Sequence, residues 1–187
     1  CFKGITRTMS PLSYQGDDGG DQVFAIRNGN DVYQNSWPGN KYLNVFICGE
    51  IGGAAGYTTN PSTWSANSMT NGIWILHNYV GSIGTGSTGG SRAMTHEVGH
   101  WLNLDHTWGP NNNPGNASSC STDDDVDDTP NCIGVTACVL NANTCNSVNS
   151  FWNFDVRDNV ENYMDYSYCS KMYTPGQVDR MRAALQV

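Results

Sequence analysis

Charged residues are scarce in this chain of 187 residues, and basic residues are especially few. Only 14% of the residues are charged, and 17 Asp and Glu outnumber 9 Lys and Arg, for a formal net charge of −8. Nucleic acids and anionic membranes attract basic proteins, so neither is expected as a partner. Glycine, in contrast, occurs 21 times. The composition is typical of a loop-rich folded protein and not of a disordered chain.

Long hydrophobic runs are also missing. The longest apolar stretches, such as residues 45–47 and 72–76, have the length of β-strands and are too short for membrane-spanning helices. The chain length fits one domain with a sizeable core, so residues 1–187 are interpreted as a single unit. The chain starts at Cys1 without a recognisable signal peptide, and we expect that a targeting segment was removed or that the chain is a fragment.

A CxxC pair is absent, although the chain contains seven cysteines. Zinc sites made of cysteine usually pair their ligands at that spacing, so a cysteine metal site is not expected. So many cysteines in a chain of this size indicate disulfides instead, and disulfides require an oxidising compartment. We therefore expect a secreted, extracellular protein.

Histidine is rare as well, and its distribution is uneven. Three of the four histidines, His96, His100 and His106, lie within eleven residues. Residues four apart on an α-helix share one face, so His96 and His100 can bind a single ion. Glu97 is one step further round the helix, where it can act as general base on a water held by that ion. His77 has no such neighbours, and an ordinary structural histidine is expected there.

The third histidine can join the other two only if the helix ends before it. On a straight helix, His106 would be rotated by roughly 600° from His100 and would face away from the ion. The chain must therefore turn back, and Asn103 is the residue suited to the turn, because Asn tolerates positive φ better than other non-glycine residues. HExxH alone could be an accidental match on an ordinary helix, but the third histidine in register favours a zinc site.

A second segment, far along the chain, agrees with the first. Residues 162–167 (NYMDYS) resemble the Met-turn of the metzincin metallopeptidases, and residues 96–106 differ from the pattern HExxHxxGxxH only at Asn103. Residues 124–130 and 164–177 extend the likeness, which covers most of the chain from about Lys41. It is closest to the pappalysin family of metzincins, and within it to the bacterial cytophagalysin-like members.

This resemblance implies an α+β fold, namely a metzincin-like catalytic domain with a twisted mixed β-sheet, a zinc-binding helix, a C-terminal helix and a loop-rich lower half. It also implies a zinc-dependent endopeptidase that acts on peptide or protein substrates. We expect this enzyme to be a monomer. The implied site residues are the zinc ligands His96, His100 and His106, the general base Glu97, Tyr166 reaching the metal or the oxyanion, and Met164 as an apolar floor.

The resemblance further implies two disulfides, Cys120–Cys145 and Cys138–Cys169, and a structural calcium ion. The calcium ligands would be Asp124, the carbonyl of Asp127 and Thr129, with Asp128 close by. The alternative for this acidic run is a solvated loop, which is the usual outcome for clustered like charges. Cys1, Cys48 and Cys132 are left over, and a Cys1–Cys48 bond would require both to lie on neighbouring strands.

Local patterns predict the remaining elements. The zinc helix should cover about 92–102, and a C-terminal helix should cover about 175–186, opened by a capping box at Thr174 and Gln177. Residues 43–48 and 73–80 are expected to be strands, the first of them central. Residues 52–58 predict either the edge strand of the family or a Gly-rich loop.

Side-chain patterns give three further expectations. In the C-terminal helix, Val178, Met181 and Leu185 should pack on the core, whereas Arg180 and Arg182 should be solvated. The first forty residues contain turns and short strand-like pieces without a convincing amphipathic helix. We therefore expect the N-terminal part of the family domain to be missing from this chain.

Two other classes of function remain open. A zinc-containing binding or structural module without catalysis would have four protein ligands and no need for Glu97. A non-peptidase hydrolase would use the same residues on another amide or on an ester.

Overall fold

A computed structural model of the chain describes residues 2–5, 7, 20–28, 31–34, 36–64 and 68–186. Within them the helices are α1 (Gly20–Arg27), α2 (Arg92–Trp101) and α3 (Pro175–Ala184), and the strands are β1 (Asn44–Cys48), β2 (Gly56–Thr58) and β3 (Gly72–Leu76). Short 3-10 turns occur at Pro61–Thr63, His77–Tyr79 and Ala117–Ser121. The expected α+β class is confirmed. Cys1 lies outside the described residues, and so does the Cys1–Cys48 pairing.

The sheet is mixed and has the order β1-β3-β2, with β1 parallel and β2 antiparallel to β3. The expectation that β1 is central is wrong for the described strands, because β3 occupies the middle. Burial explains the difference. β1 alternates, with Phe46 and Cys48 buried and Val45 and Ile47 exposed, as in a strand with one covered face. β3 is buried from Gly72 through Ile75, as a central strand should be.

The core lies on one side of this sheet. Phe46 and Trp74 stack with ring centroids 4.2 Å apart, and Ile51 and Met69 complete a buried cluster. Burial of each such side chain contributes roughly 1.5–3 kcal/mol to stability. α2 packs against β2 and β3. The zinc helix is therefore held against the edge strand, which agrees with the edge-strand interpretation of residues 52–58.

α1 lies within the first forty residues, but it is not the convincing amphipathic helix whose absence the sequence predicts. Val23 packs against the core cluster, whereas the next residue, Phe24, is 68% exposed. Because one of these adjacent apolar residues packs and the other is exposed, α1 does not have a single apolar face with a period of 3.6 residues. β3 is also shorter than predicted, because the chain enters the turn His77–Tyr79 directly after Leu76.

α3 begins with the predicted capping box. The hydroxyl of Thr174 accepts from the Gln177 amide at 3.1 Å, and the Gln177 side chain accepts from the Thr174 amide at 3.0 Å. The helix ends at Ala184. Leu185 follows it and is 64% exposed, so the expectation that this leucine packs on the core is wrong.

The region between α2 and α3 is mostly irregular and is joined by disulfides. Cys120–Cys145 and Cys138–Cys169 are bonded, with Cα–Cα distances of 5.4 and 5.7 Å, and these are the two pairs that the resemblance implied. Cys48 and Cys132 are buried free thiols. Among the described residues, no helix combines the length and the apolar character needed to cross a membrane.

Candidate active site

Three imidazoles from α2 and the chain after it converge on one point. His96 Nε2 lies 3.0 Å from His100 Nε2, which lies 3.1 Å from His106 Nε2. Two nitrogens bound to one tetrahedral zinc at about 2.0 Å would be roughly 3.3 Å apart, so this spacing fits a shared ion. His77, the fourth histidine, lies apart from the cluster and contacts Thr85.

Each imidazole is oriented through its other nitrogen. The Nδ1 atoms of His96, His100 and His106 lie 2.6, 2.7 and 2.9 Å from the carbonyl oxygens of Tyr163, Leu104 and Asn111. A carbonyl can only accept, so each Nδ1 carries the proton. The lone pair of each Nε2 is then directed at the common point, as a metal ligand requires.

The turn that brings in His106 is built on Asn103, as predicted. Asn103 has a φ of 70°. Its amide donates to the His100 carbonyl at 3.0 Å, and the Leu104 amide donates to the Gly99 carbonyl at 3.0 Å. This pair of bonds is the Schellman arrangement that ends a helix with a left-handed residue. The chain reverses there and returns His106 to the metal side of α2.

Burial keeps the three imidazoles neutral. It lowers the pKa of His96 to about 3 and that of His106 to about 2, with a further contribution from the neighbouring imidazoles, and it also lowers the pKa of His100. Neutral imidazole is the form that binds metals. The cluster is therefore in a ligand-competent state at neutral pH.

Glu97 is buried beneath the edge strand. A Cβ added to Gly56 in β2 would lie 3.3 Å from Glu97 Oε1, so the absence of a side chain at Gly56 allows the close approach. Burial raises the pKa of Glu97 to about 8. A group with a pKa near the working pH is suited to both taking up and returning a proton.

The Met-turn lies directly against the zinc helix. A Cβ on Gly99 would be 2.3 Å from the Met164 sulfur, so α2 can pack on Met164 only through a glycine. Met164 is fully buried. The ring of Tyr166 lies 5.4 Å from that of His96 and 4.9 Å from that of His106, and 38% of this residue is exposed. Tyr166 therefore lies between the imidazoles and the solvent.

Two residues near the histidines were not singled out from the sequence. Asp165 is buried and accepts hydrogen bonds from the Thr107 hydroxyl at 3.3 Å and the Ser167 amide at 3.1 Å. Trp108 is also buried, and its ring stacks on that of His106 at 4.4 Å with an interplanar angle of 2°. Their positions beside His106 and Met164 were the available signals, but the hydrogen bond between Asp165 and Thr107 joins segments 58 positions apart.

The acidic loop, residues 123–129, contains buried oxygens without partners. Among the described residues, Asp124 Oδ2, Asp128 Oδ1 and Thr129 Oγ1 are buried and make no hydrogen bond. Burial and the neighbouring Asp123 raise the pKa of Asp124 to about 8. The Asp127 carbonyl accepts from the Asn149 amide group at 3.1 Å. Oxygen atoms of this kind are what a hard cation such as calcium requires.

A long cleft passes over the histidines. It has a volume of about 1340 Å³, and its lining includes β2, Thr59 and Asn60 as well as Tyr166 and Tyr168. The start of α2 meets the chain just after the Met-turn, where Arg92 donates to the Tyr168 carbonyl at 2.7 Å, and both residues line the cleft. An extended chain could therefore lie beside the edge strand and cross the imidazole cluster.

This donor set fits zinc. Three neutral imidazole nitrogens converge, and within the described part of the chain the cluster contains only these three residues. Catalytic zinc sites have three protein ligands and leave one position for water or substrate, whereas structural sites have four.

Comparisons with known proteins agree with the geometry. Residues 27–186 match a peptidase family model described as Pregnancy-associated plasma protein-A. An extracellular metalloprotease of Verticillium alfalfae is 33% identical over 155 residues, which cover 78% of this chain and 50% of that protein. One of Colletotrichum graminicola is 32% identical over 145 residues, which cover 74% and 47%.

Solved structures of mirolysin are similar as well. Mature mirolysin of Tannerella forsythia in complex with a cleaved peptide has a TM-score of 0.58 at 33% identity, over 75% of this chain and 51% of that one. Mirolysin in complex with compound 9 has a TM-score of 0.61 at 33% identity, over 79% and 53%. The chain spans about half the length of these relatives.

Proposed function

The chain belongs to the pappalysin family of metallopeptidases, the family described as Pregnancy-associated plasma protein-A, and from this we propose that it is a secreted, monomeric zinc endopeptidase. The observation that supports the proposal best is the convergence of three neutral imidazoles beside a buried carboxylate. His96, His100 and His106 would hold the zinc. Bound zinc supplies Lewis acidity, which polarises a carbonyl and lowers the pKa of a water to about 7.

The residues of the chain carry the proton and the charge. Glu97 takes one proton from the attacking water as the C–O bond forms and delivers it to the amine nitrogen as the C–N bond breaks. Tyr166, at the cleft edge of the cluster, donates a hydrogen bond to the oxyanion that develops meanwhile. Met164 supports the imidazoles from below without taking part in the reaction.

The substrate would be a peptide in an extended conformation. β2 lines the cleft and runs along the edge of the sheet, so a peptide bound beside it would cross the imidazole cluster. One of the related mirolysin structures is a complex with a cleaved peptide. Extended binding along a strand is a common mode of peptide recognition.

We also propose that calcium binds the acidic loop. The unpartnered oxygens of Asp124, Asp128 and Thr129 favour this over a solvated loop, because burial of unpaired polar atoms is costly. The Asp127 carbonyl would add a further oxygen. Calcium would then stabilise this loop, which lies within the segment closed by the Cys120–Cys145 disulfide, without any part in the reaction.

The test is cleavage of a mixed peptide library by the chain, with and without a zinc chelator, together with Glu97→Gln and Glu97→Ala. Turnover should need zinc and fall by roughly 10²–10⁴-fold or more in both variants, because the general base is lost. Zinc content should not change. Glu50→Gln is a matched control, since Glu50 is exposed and outside the cleft.

Unchanged peptide cleavage by the Glu97 variants would contradict the mechanism. Cleavage of esters without any cleavage of peptides would favour the non-peptidase hydrolase instead.

A further inference from the structure

Arg180 connects α3 to the turn at Asn103 and to the acidic loop. Its Nε donates to the Asn103 carbonyl at 2.7 Å, and one terminal nitrogen donates to the Asp124 carbonyl at 3.0 Å and lies 3.4 Å from that of Asp125. The other terminal nitrogen is 3.9 Å from the Asp105 carboxylate. The expectation that Arg180 is solvated is therefore wrong, and only 24% of its side chain is exposed.

The two loops share an unusual backbone conformation at the residues that Arg180 binds. In the described part of the chain, the non-glycine residues with positive φ are Gln34, Asn103 and Asp125. The carbonyls of both Asn103 and Asp125 face Arg180. Left-handed backbone is disfavoured for residues with a side chain and persists where the surroundings stabilise it.

The position of Asn103 makes this contact relevant to the metal. Asn103 lies between the second and third histidines and forms the turn that returns His106 to the cluster. Among the described hydrogen bonds, only the one from Arg180 reaches the Asn103 carbonyl from outside the turn. A rotation of this peptide would move His106 relative to His96 and His100.

The guanidinium suits this task better than an ammonium group would. It is planar and has donors pointing in several directions, so it can bind the turn and the acidic loop at the same time. The Lys side chain ends in a single ammonium centre. It could keep the charge beside Asp105, but it could not reproduce the whole set of contacts.

We propose that Arg180 is a positioning residue for the zinc site. Arg180 holds the turn at Asn103 against the acidic loop and so fixes the third histidine ligand. This proposal rests on the zinc site of the proposed function. It assigns to a residue of the C-terminal helix, 77 positions from Asn103, a role in metal affinity.

Electrostatics and positioning predict opposite results when the charge is removed. Arg180 is a cation near a zinc site, so its loss would strengthen zinc binding if charge alone mattered. If Arg180 holds the turn, its loss should weaken zinc binding. Removal of groups that orient metal ligands typically costs 10–100-fold in metal affinity.

The experiment measures the zinc Kd of the whole chain by competition with a chromophoric chelator, and the visible absorption of the cobalt-substituted protein. The variants are Arg180→Met, Arg180→Lys and the control Thr174→Ala. The control removes the capping box of α3 but touches neither Asn103 nor the acidic loop. All measurements are made well below the melting temperature of each variant.

Zinc should bind roughly tenfold or more weakly to Arg180→Met, with an altered cobalt spectrum, and to an intermediate degree to Arg180→Lys. Thr174→Ala should bind zinc like the wild type. If Arg180→Met does not fold, the Arg180→Lys variant alone decides. Unchanged or tighter zinc binding, or an equal loss in Thr174→Ala, would overturn the proposal. A wild-type chain that binds no zinc would instead overturn the proposed function itself.

Discussion

Asn103 shows how a single residue can determine whether a local sequence forms a metal site. The family pattern has glycine at this position, and glycine has no steric penalty at positive φ. Asn accepts the same conformation at moderate cost, and here it adopts a φ of 70°. The departure from the family pattern therefore leaves the geometry of the turn intact.

Replacement of Asn103 tests this interpretation. Asn103→Ala should lower the free energy of unfolding by roughly 1 kcal/mol, because alanine is poorly suited to a left-handed backbone. Asn103→Gly should stay within roughly 0.5 kcal/mol of the wild type, since relief of strain is offset by greater freedom in the unfolded chain. Urea unfolding measures both. Equal stability of all three proteins would contradict the account of the turn.

Asp165 is a second residue whose environment has a measurable consequence. It is 3% exposed, and burial raises its pKa to about 7, above the ordinary value of 3.8. Between about pH 4 and pH 7 the folded state therefore binds more protons at this site than the unfolded state does. The stability contributed at Asp165 is complete at low pH and is lost as the pH rises through 7.

Asp165→Asn should remove this pH dependence. Asn keeps an acceptor for the Ser167 amide but does not ionise. The free energy of unfolding of the variant, minus that of the wild type, should rise between pH 4 and pH 7, by at most roughly 1.4 kcal/mol per pH unit. Denaturant unfolding at several pH values measures it, with the exposed Asp179→Asn as control. A difference that stays constant across this range would contradict the raised pKa of this buried carboxyl.

At the residue scale, the sequence predicted the site residues that lie within a few positions of one another. His96, His100, Glu97 and the turn at Asn103 follow from helix geometry within a few positions. Arg180 did not follow, because its partners lie 55 to 77 positions away and an arginine on a helix is usually solvated. The Asp165–Thr107 contact spans 58 positions and has the same cause.

The secondary-structure elements repeat this division between local and distant information. α2 and α3 were predicted to within two residues of their ends, because the zinc motif and the capping box mark them. The order of the strands was not predicted, because the pairing of β1 with β3 depends on which faces become covered. α1 has no amphipathic pattern that would mark it in the sequence, since Val23 packs on the core and the adjacent Phe24 is exposed.

The acidic loop provides a prediction at the scale of an element. If calcium binds there, free calcium at a hundred times its Kd should stabilise the fold by about 2.7 kcal/mol. Asp124→Asn should abolish most of that gain. In calcium-free buffer the variant should be at least as stable as the wild type, because it no longer buries an ionisable group with an unpartnered oxygen, Oδ2. Thermal unfolding with calcium and with a calcium chelator measures both.

A calcium response that is the same in Asp124→Asn as in the wild type would contradict this site. The exposed Asp179→Asn variant, which lies in α3 outside the loop, should respond to calcium like the wild type.

At the scale of the whole molecule, the region between α2 and α3 depends on covalent links. It contains one 3-10 turn as its regular element among the described residues, and two disulfides join its parts. Irregular segments bury few of their own backbone groups in secondary structure, so limiting the freedom of the unfolded chain matters more for them.

Removal of one disulfide tests this dependence. The double variant Cys120→Ala/Cys145→Ala opens a loop of 25 positions. Chain entropy predicts a loss of about 3.5 kcal/mol in the free energy of unfolding. Guanidinium unfolding in the absence of reductant measures the loss, and in strong reductant the wild type should become at least as unstable as the variant. A double variant as stable as the wild type would show that the Cys120–Cys145 bond does not hold this region together.

The contact between Gly99 and Met164 also bears on when the molecule becomes functional during its synthesis. The three histidines leave the ribosome before the Met-turn does. Asp165, in the Met-turn, follows Thr107, the residue after the third histidine, by 58 positions. At roughly 5–20 residues per second, this delay lasts about 3 to 12 s. An unfinished chain therefore carries all three imidazoles but not the floor beneath them. The nascent protein cannot form the contact between α2 and Met164 until the Met-turn has been translated.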